Sequence, residues 1–491
     1  MFSNKRGWAF VLVFFIWGTT WLFTNPLSAA PEEPEHYIRA LASGSGQWLG
    51  VPNPQAHMSA QNDGQRRFFK VYNRTFEIPA KLSIPPSWFC LVQDHSTSAK
   101  CLSINSDYKH LTFDTSYEGG YQPYMYILPG IVMLQASNPE MALYLGRVVN
   151  FLFSFFFLAI SVFLLLHKGS FLSLTGLLLA ASPMVVFVGT VLSPSAPEIY
   201  AAIGFWSALV YWFRTKDVSF SVWSFMLFSL FVLIISRALG LLWLGLAFGI
   251  IFLFLKNEAL DVMRERGRKF WTFSLVVSVG MVLSIFWQLL ILPAQSNVPS
   301  VALVVTSLKN MVEALGETVG VFGWVDTVMP KWAYAVWTLL FMGFVILTLL
   351  KGKIAQVRKL EGMLFIGGFL TFVLAFYIDE STGFLLQGRQ VLPMLIAIPL
   401  FAAEILNQNR DKISKSLIRK FGYFIIIGVP FIQLVGWFTN AHRAAVGTGG
   451  ELLFWLHPDW SPVFSWEAWG VTFVLGCILF VLVAKRELQN N

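Results

Sequence analysis

From Trp8 to Leu482 the chain runs again and again through stretches of about 20 residues that carry almost no charge. That is the length at which a helix rising about 1.5 Å per residue crosses a hydrocarbon core of about 30 Å. A water-soluble fold cannot bury so many such stretches. Composition closes the point, since 56% of the 491 residues are hydrophobic and 13% are charged, against about a quarter charged in an ordinary soluble domain. Soluble, disordered and nucleic-acid-binding classes are excluded, and an all-α polytopic membrane protein is what remains.

Marking out the runs gives about 12 transmembrane helices, at 8–23, 142–166, 171–192, 199–213, 220–235, 238–255, 270–292, 332–350, 363–377, 385–405, 423–438 and 468–484. Lys and Arg stay preferentially on the cytoplasmic side of short loops, which tests that count. With both termini inside, the inner loops and tails hold 21 of the 35 Lys and Arg but 8 of the 27 Asp and Glu. A thirteenth span at 121–135 would invert every later loop, so that segment is expected to be a short helix, on the outer surface or re-entrant. Lys5-Arg6, the first apolar run and Ser28-Ala29-Ala30 also fit a cleavable signal peptide. The run is longer than a typical signal core, and it is expected to stay as an anchor.

Five parts follow from these spans. Residues 1–24 form a cytoplasmic N-terminus and first transmembrane helix, and 25–141 a large periplasmic or extracellular loop. Residues 142–292 hold transmembrane helices 2–7, 293–331 an outer loop with an amphipathic helix along the surface, and 332–491 helices 8–12 with a cytoplasmic tail. The inner loops are short and basic, so substrates are expected at the outer face, in a multi-pass protein of a bacterial inner membrane whose active site faces the periplasm or exterior. In the large loop, Cys90 and Cys101 suit a disulfide in that oxidising space, with two unpaired thiols as the alternative. No phosphate-binding Gly-rich loop, zinc-ligand spacing or Ser/His/Asp signature stands out.

Just after the first span comes Pro31-Glu32-Glu33-Pro34-Glu35-His36-Tyr37-Ile38-Arg39. Three carboxylates within four residues, beside a low-dielectric surface, repel one another; this raises at least one pKa and suits a general base. A solvated acidic turn between two prolines is the plain alternative. Helical spacing would set Glu32 or Glu33, His36 and Arg39 on one face. Four more polar residues stand at outer ends of spans: Arg147, Glu198, Arg237 and Arg389. Singly, each reads equally well as a snorkelling or capping charge. Several cations at one membrane depth beside carboxylates point to a shared anionic ligand. A phosphate at headgroup level fits, because guanidinium groups bind it through paired, charge-assisted hydrogen bonds.

These motifs, in this order, resemble a family of predicted bacterial multi-span membrane proteins of unknown function, and through it the GT-C class of lipid-phosphate-dependent glycosyltransferases. The resemblance rests on Pro31-Glu32-Glu33-Pro34-Glu35-His36, on Tyr121-Gln122-Pro123-Tyr124-Met125-Tyr126-Ile127-Leu128-Pro129, and on Arg147 with Asn150. It continues through Pro183-Met184, Ser193-Pro194-Ser195-Ala196-Pro197-Glu198, Arg237, and Gln387-Gly388-Arg389-Gln390-Val391-Leu392-Pro393, up to about residue 400. Glu32 and Glu198 stand where the pattern has Asp, Arg237 where Lys is usual and Gln390 where Tyr is usual.

The resemblance implies a GT-C-like enzyme that moves a sugar from a polyprenyl-phosphate donor to a cell-envelope glycan acceptor, with inversion, at the outer face of the bilayer. A hexose carried to a lipopolysaccharide O-antigen is the expectation from the class. Glu33 is the expected base, with Glu32 as its alternate and His36 orienting the base or acceptor. Arg237, Arg389 and Arg147 would hold the lipid phosphate, and Arg39, Tyr121, Tyr124 and Glu198 would contact substrate. No cofactor is required by this scheme, although Glu32, Glu33 and His36 offer ligands to a divalent metal. A transporter or flippase of lipid-linked sugars is the alternative, since it too needs intramembrane charges. An O-antigen polymerase or ligase and a receptor scaffold are more distant readings.

Overall fold

The computed structural model describes residues 4–55, 60–92, 94–103, 112–291 and 301–489. The first span is α1 (Lys5–Thr24), capped by the Asn4 side chain, which accepts from the Arg6 amide at 3.0 Å. The insertion that follows holds α2 (Glu33–Gly44), β1 (Val51–Pro52), α3 (Asp63–Tyr72), β2 (Arg74–Glu77), β3 (Phe113–Ser116) and α4 (Tyr124–Met133). Its strands form one antiparallel sheet in the order β1-β2-β3, with Thr75 paired to Val51 on one side and Thr115 on the other. The chain then builds the bundle with α5 (Pro139–Leu166), α6 (Phe171–Ala180), α7 (Pro183–Gly189), α8 (Ser195–Thr215), α9 (Phe220–Ser236), α10 (Gly240–Glu265) and α11 (Arg268–Leu290). After α12 (Val301–Gly320) come the hairpin strands β4 (Val321–Phe322) and β5 (Thr327–Val328), then α13 (Lys331–Lys351) and α14 (Ile354–Thr382). The last four helices are α15 (Gly388–Leu395), α16 (Ala397–Gln408), α17 (Lys415–Val446) and α18 (Trp466–Gln489).

Each of the twelve expected spans falls on one of these helices or on a helix pair. Among the described residues, nine helices are long and apolar enough to cross a membrane, α15 and α16 counting as one, and α6 with α7 makes a tenth if their 67° bend is taken within a single span. The bend has a local cause: Pro183 cannot donate to a preceding turn, so the helix restarts there under the Ser182 hydroxyl, which accepts from the Val185 amide at 3.3 Å. The remaining two expected spans are α9, which has 17 residues, and α8, whose first turn carries Ser195, Pro197 and Glu198. Helix α8 is nonetheless the centre of the bundle, buried on every side from Ser195 to Phe213.

Basic residues gather where helix ends meet on one face of the bundle. Arg6 pairs with Glu487 at 2.9 Å, Lys216 with Glu258 at 3.0 Å and Lys269 with Asp217 at 2.7 Å. Deeper on that side Arg214 binds Glu404 at 2.6 Å and the His167 carbonyl at 2.9 Å. The insertion sits on the opposite face with the 321–330 hairpin and the α17–α18 loop; there Trp324 Nε1 donates to the Ser28 carbonyl at 3.1 Å and the Thr448 amide to the His95 carbonyl at 3.0 Å.

Helix α4 lies within the expected 121–135 segment and its ten residues span only about 15 Å, too short to cross. It packs on α2 backbone to backbone, because a Cβ on Gly130 would overlap the Ala40 carbonyl and one on Gly44 would overlap Gly130. Helix α12 differs from the expected surface helix in its orientation. Its outward side carries the apolar Val305, Leu308 and Val312 together with Thr306, Lys309 and Glu313, while Ser307, Asn310 and Ala314 are buried. The apolar side chains turned away from the protein suit lipid, and two polar ones clip the chain ahead of α15: Asn310 bonds both the amide and carbonyl of Leu386, and Glu317 accepts from the Gly388 amide at 2.7 Å. Residues 293–300 of the expected outer loop lie outside the described residues.

Candidate functional site

The acidic run divides at the first residue of α2. Glu32 precedes the helix in a left-handed conformation, φ 61° and ψ 12°, a backbone state that costs a residue with a Cβ about 1–2 kcal/mol. Glu33 opens the helix proper. That single turn sends the two side chains to different partners.

Glu33 is fully buried against Arg147, itself fully buried. Arg147 Nε donates to Glu33 Oε1 at 2.7 Å and Nη2 to Oε2 at 2.5 Å, while the Leu192 amide donates to Oε1 at 3.0 Å. The other guanidinium donors are used on the Asn25 carbonyl at 2.8 Å and the Pro26 carbonyl at 2.7 Å. Both carboxylate oxygens and all three guanidinium nitrogens are thereby hydrogen-bonded. The expected base Glu33 and the expected phosphate ligand Arg147 are corrected to a structural pair that ties α2, the 25–32 turn, α5 and the end of α7 together.

Glu32 has the open carboxylate. Its side chain is 22% exposed and pairs with Arg389 Nη2 at 2.5 Å, and Arg389 Nη1 reaches the Pro31 carbonyl at 3.5 Å. Arg389 stands in the first turn of α15, held there by the contacts of α12. Arg237, in the hairpin between α9 and α10, donates to Ser195 Oγ at 3.0 Å and lies 3.9 Å from Glu198. Its second nitrogen is 3.4 Å from the Tyr121 hydroxyl, with the guanidinium 5.5 Å from that ring centre. Glu198 is fixed by Trp243 Nε1, which donates to Oε1 at 2.8 Å. His36 closes the group, with Nδ1 2.8 Å from the Tyr126 hydroxyl and Nε2 3.5 Å from Ser193 Oγ.

The electrostatics follow from burial. Burial, then the neighbouring Arg389 and Arg237, hold the His36 pKa well below its ordinary value. The imidazole is therefore neutral, and its 4.0 Å approach to Glu32 is not an ion pair. Glu35 faces the opposite way, accepting from the Tyr117 amide at 3.1 Å. Burial pushes its pKa from 4.5 up to about 8, helped by repulsion from Glu32 and Asp114 and opposed by hydrogen bonds from Ser116 and Tyr117. Glu118, 1% exposed, is raised well above the carboxylate range by burial and then by Glu32, against the pull of Arg237 and Arg389. Within the acidic run the raised pKa belongs to Glu35, with burial rather than mutual repulsion as its first cause, and Glu118, outside the run, is raised as well.

Two expected substrate contacts have other employment. Arg39 is buried, with Nε and Nη2 donating to the Tyr121 carbonyl at 3.1 and 2.6 Å and Nη1 to the Trp48 carbonyl at 2.7 Å; burial lowers its pKa to about 10. It is a positioning residue for Tyr121. Tyr124 donates to the Leu283 carbonyl at 3.0 Å and ties α4 to α11. Glu32, Glu33 and His36 do not converge as metal ligands, because Glu33 is committed to Arg147, and no group of three such side chains assembles elsewhere among the described residues. Cys90 and Cys101 are joined as a disulfide, and the loop they close docks on α17, where Arg443 Nη2 donates to the Leu91 and Asp94 carbonyls at 3.2 and 3.1 Å. Glu118 has no local sequence signal beyond being an acid between Tyr117 and Gly119-Gly120.

Residues 15–398 match the family described as "Predicted membrane protein (DUF2142)", more than three quarters of the chain. The chain belongs to that family. The match takes in both halves of the site, from Glu32 through Arg389, and leaves α17 and α18 outside it. No curated protein and no solved structure matches the chain. Membership establishes a multi-pass membrane protein, and the chemistry of this DUF2142 member has to be argued from the site.

Proposed function

We propose that this protein is a membrane glycosyltransferase of the inner membrane that takes a sugar from a polyprenyl-phosphate donor at the periplasmic or exterior face and passes it to an envelope glycan. The observation that carries the reading is the Glu32–Arg389 pair: a partly open carboxylate held at 2.5 Å by a buried arginine, with Arg237 in the same charged group. A donor phosphodiester engages Arg389 and Arg237 and takes Arg389 away from Glu32. Glu32, so released, accepts the proton of the acceptor hydroxyl while that oxygen attacks the anomeric carbon. The bond from the anomeric carbon to the phosphate oxygen breaks, its electron pair leaves on the phosphate, and the two arginines hold the added charge. His36, neutral and hydrogen-bonded to Tyr126, walls the site without competing for that proton. The arginine-rich end of the site is one-sided, which favours this reading over a carrier that must release its cargo on both faces.

The test is transfer by purified protein from polyprenyl-phosphate hexoses to candidate glycans. Glu32→Gln is expected to reduce turnover by about 10² to 10⁴ and Arg389→Ala to reduce it with weaker donor binding. Full transfer by Glu32→Gln would remove the base assignment. Movement of lipid-linked sugar across vesicles without any transfer would replace the enzyme by a flippase.

A further inference from the structure

Three buried atoms near Arg237 and Arg389 have no hydrogen-bond partner among the described residues: Glu118 Oε2, Glu198 Oε2 and Arg389 Nε. Their residues are 1%, 1% and 3% exposed. They come from separate parts of the chain, the turn after β3, the first turn of α8 and the first turn of α15. Glu198 Oε2 lies 3.9 Å from Arg237 Nη1, and the Glu118 carbonyl accepts at 2.9 Å from the amide of Tyr121, whose hydroxyl is 3.4 Å from Arg237 Nη2. Buried polar atoms are nearly always satisfied, and a cluster of exceptions calls for a partner.

Both carboxylates are held in place, so the open valences are built features. Glu198 Oε1 is pinned by Trp243, leaving Oε2 without a hydrogen bond, 3.9 Å from Arg237 Nη1. Glu118 sits in a turn fixed at both ends: its own amide donates to Ser116 Oγ at 3.0 Å, the Gly120 amide to the Tyr72 carbonyl at 3.1 Å, and Trp287 Nε1 to the Gly120 carbonyl at 2.9 Å. What is missing is a group that can hydrogen-bond to two carboxyl groups, one of them holding its proton, while accepting from a guanidinium. A phosphodiester is acceptor-only and leaves Glu198 Oε2 without a donor; a hydrocarbon tail offers nothing. A hydroxyl both donates and accepts, so a ring bearing several hydroxyls has the chemistry to meet carboxyl groups and a guanidinium together.

We propose that Glu118 and Glu198 bind the hydroxyls of a sugar ring, and that Glu118 is a substrate-contacting residue of this protein. The proposal rests on the transferase reading above: the arginines take the donor phosphate and the two carboxylates take the ring attached to it. The proposal requires that the site bind a glycosylated lipid phosphate more tightly than the bare one.

The experiment is equilibrium binding to the full-length protein in detergent. The probes are a polyisoprenyl phosphate and the same lipid carrying glucose, mannose or galactose on its phosphate. For the wild type at least one glycosylated lipid should bind about tenfold more tightly than the bare one, the gain expected from one net hydrogen bond. Glu118→Leu and Glu198→Leu, which keep volume and cannot hydrogen-bond, should bring that lipid to within about twofold of the bare phosphate measured in the same variant. Glu118→Gln, nearly isosteric, carries the same test with a partial loss if the leucine variants fail to fold. Equal binding of glycosylated and bare lipid by the wild type, or an unaltered ratio in the variants, overturns the sugar assignment and leaves the lipid-phosphate reading standing. Failure of the wild type to bind either lipid overturns both.

Discussion

Replacing Glu33 by Ala separates a structural role from a chemical one. The substitution leaves Arg147 buried without its anion, and a broken buried pair costs about 3–5 kcal/mol because the remaining charge is uncompensated. Arg147→Met should cost more. It orphans the Glu33 carboxylate and also the Asn25 and Pro26 carbonyls, which Arg147 holds at 2.8 and 2.7 Å, at about 1–3 kcal/mol for each unsatisfied group. The double variant removes both charges, so its loss should fall short of the summed single losses by about 2–3 kcal/mol, where independent sites would add to within about 0.5 kcal/mol. Reversible unfolding of the purified protein in mixed micelles, followed by tryptophan fluorescence, measures all four corners of the cycle. Strict additivity, or a Glu33→Ala protein of wild-type stability that has lost all transfer, would refute the structural pair and return the base to Glu33.

Other expectations are equally direct. The folded-state pKa of Glu35 is raised from 4.5 to about 8, so between those values the folded protein binds a proton that the unfolded chain has released. This contribution is fully present below pH 4.5 and is lost as pH rises to about 8, worth at most roughly 4–5 kcal/mol at about 1.36 per unit; Glu35→Gln should flatten the profile, and an unchanged slope would exclude Glu35 as its source. Gly130→Ala forces α2 and α4 apart and should destabilise by about 1–3 kcal/mol, whereas Gly249→Ala on α10, which faces open space, should be neutral or gain up to about 1 kcal/mol; thermal unfolding compares the two. Reducing Cys90–Cys101 should raise amide exchange at residues 94–101 and leave the β2–β3 ladder protected, and equal loss of protection in both would mean that the disulfide supports the whole insertion.

The spans were legible because an apolar run is a local property, and the basic face because each Lys or Arg carries its own preference for one side. Even the broken third span has a local mark, Ser182-Pro183. The site was legible as a set of residue types at one membrane depth, and Glu32, Arg237, Arg389, Glu198, His36 and Tyr121 do come together. Their pairing was not. Helical spacing treats Glu32 and Glu33 as near-equivalents beside His36 and Arg39, whereas a left-handed residue at position 32 breaks that equivalence before the helix begins. Arg389 lies 357 positions from Glu32 and Arg147 lies 114 from Glu33, separations over which no local pattern speaks. Glu118 shows the same limit from the other side, since one acid beside two glycines has no periodicity and gains its meaning only when β3 and the turn after it fold toward residues 237 and 389. The misassignment of Arg147 is the most instructive, because its premise was sound: a cation in a span needs an anion. The chain supplies that anion itself, in Glu33. An arginine at the membrane edge therefore becomes evidence for an external phosphate only after the protein's own carboxylates have been matched: Glu33 closes on Arg147 with both oxygens, whereas Arg389 pairs with a Glu32 side chain that is 22% exposed and Arg237 stands 3.9 Å from Glu198, so the phosphate proposal rests on these two looser pairs.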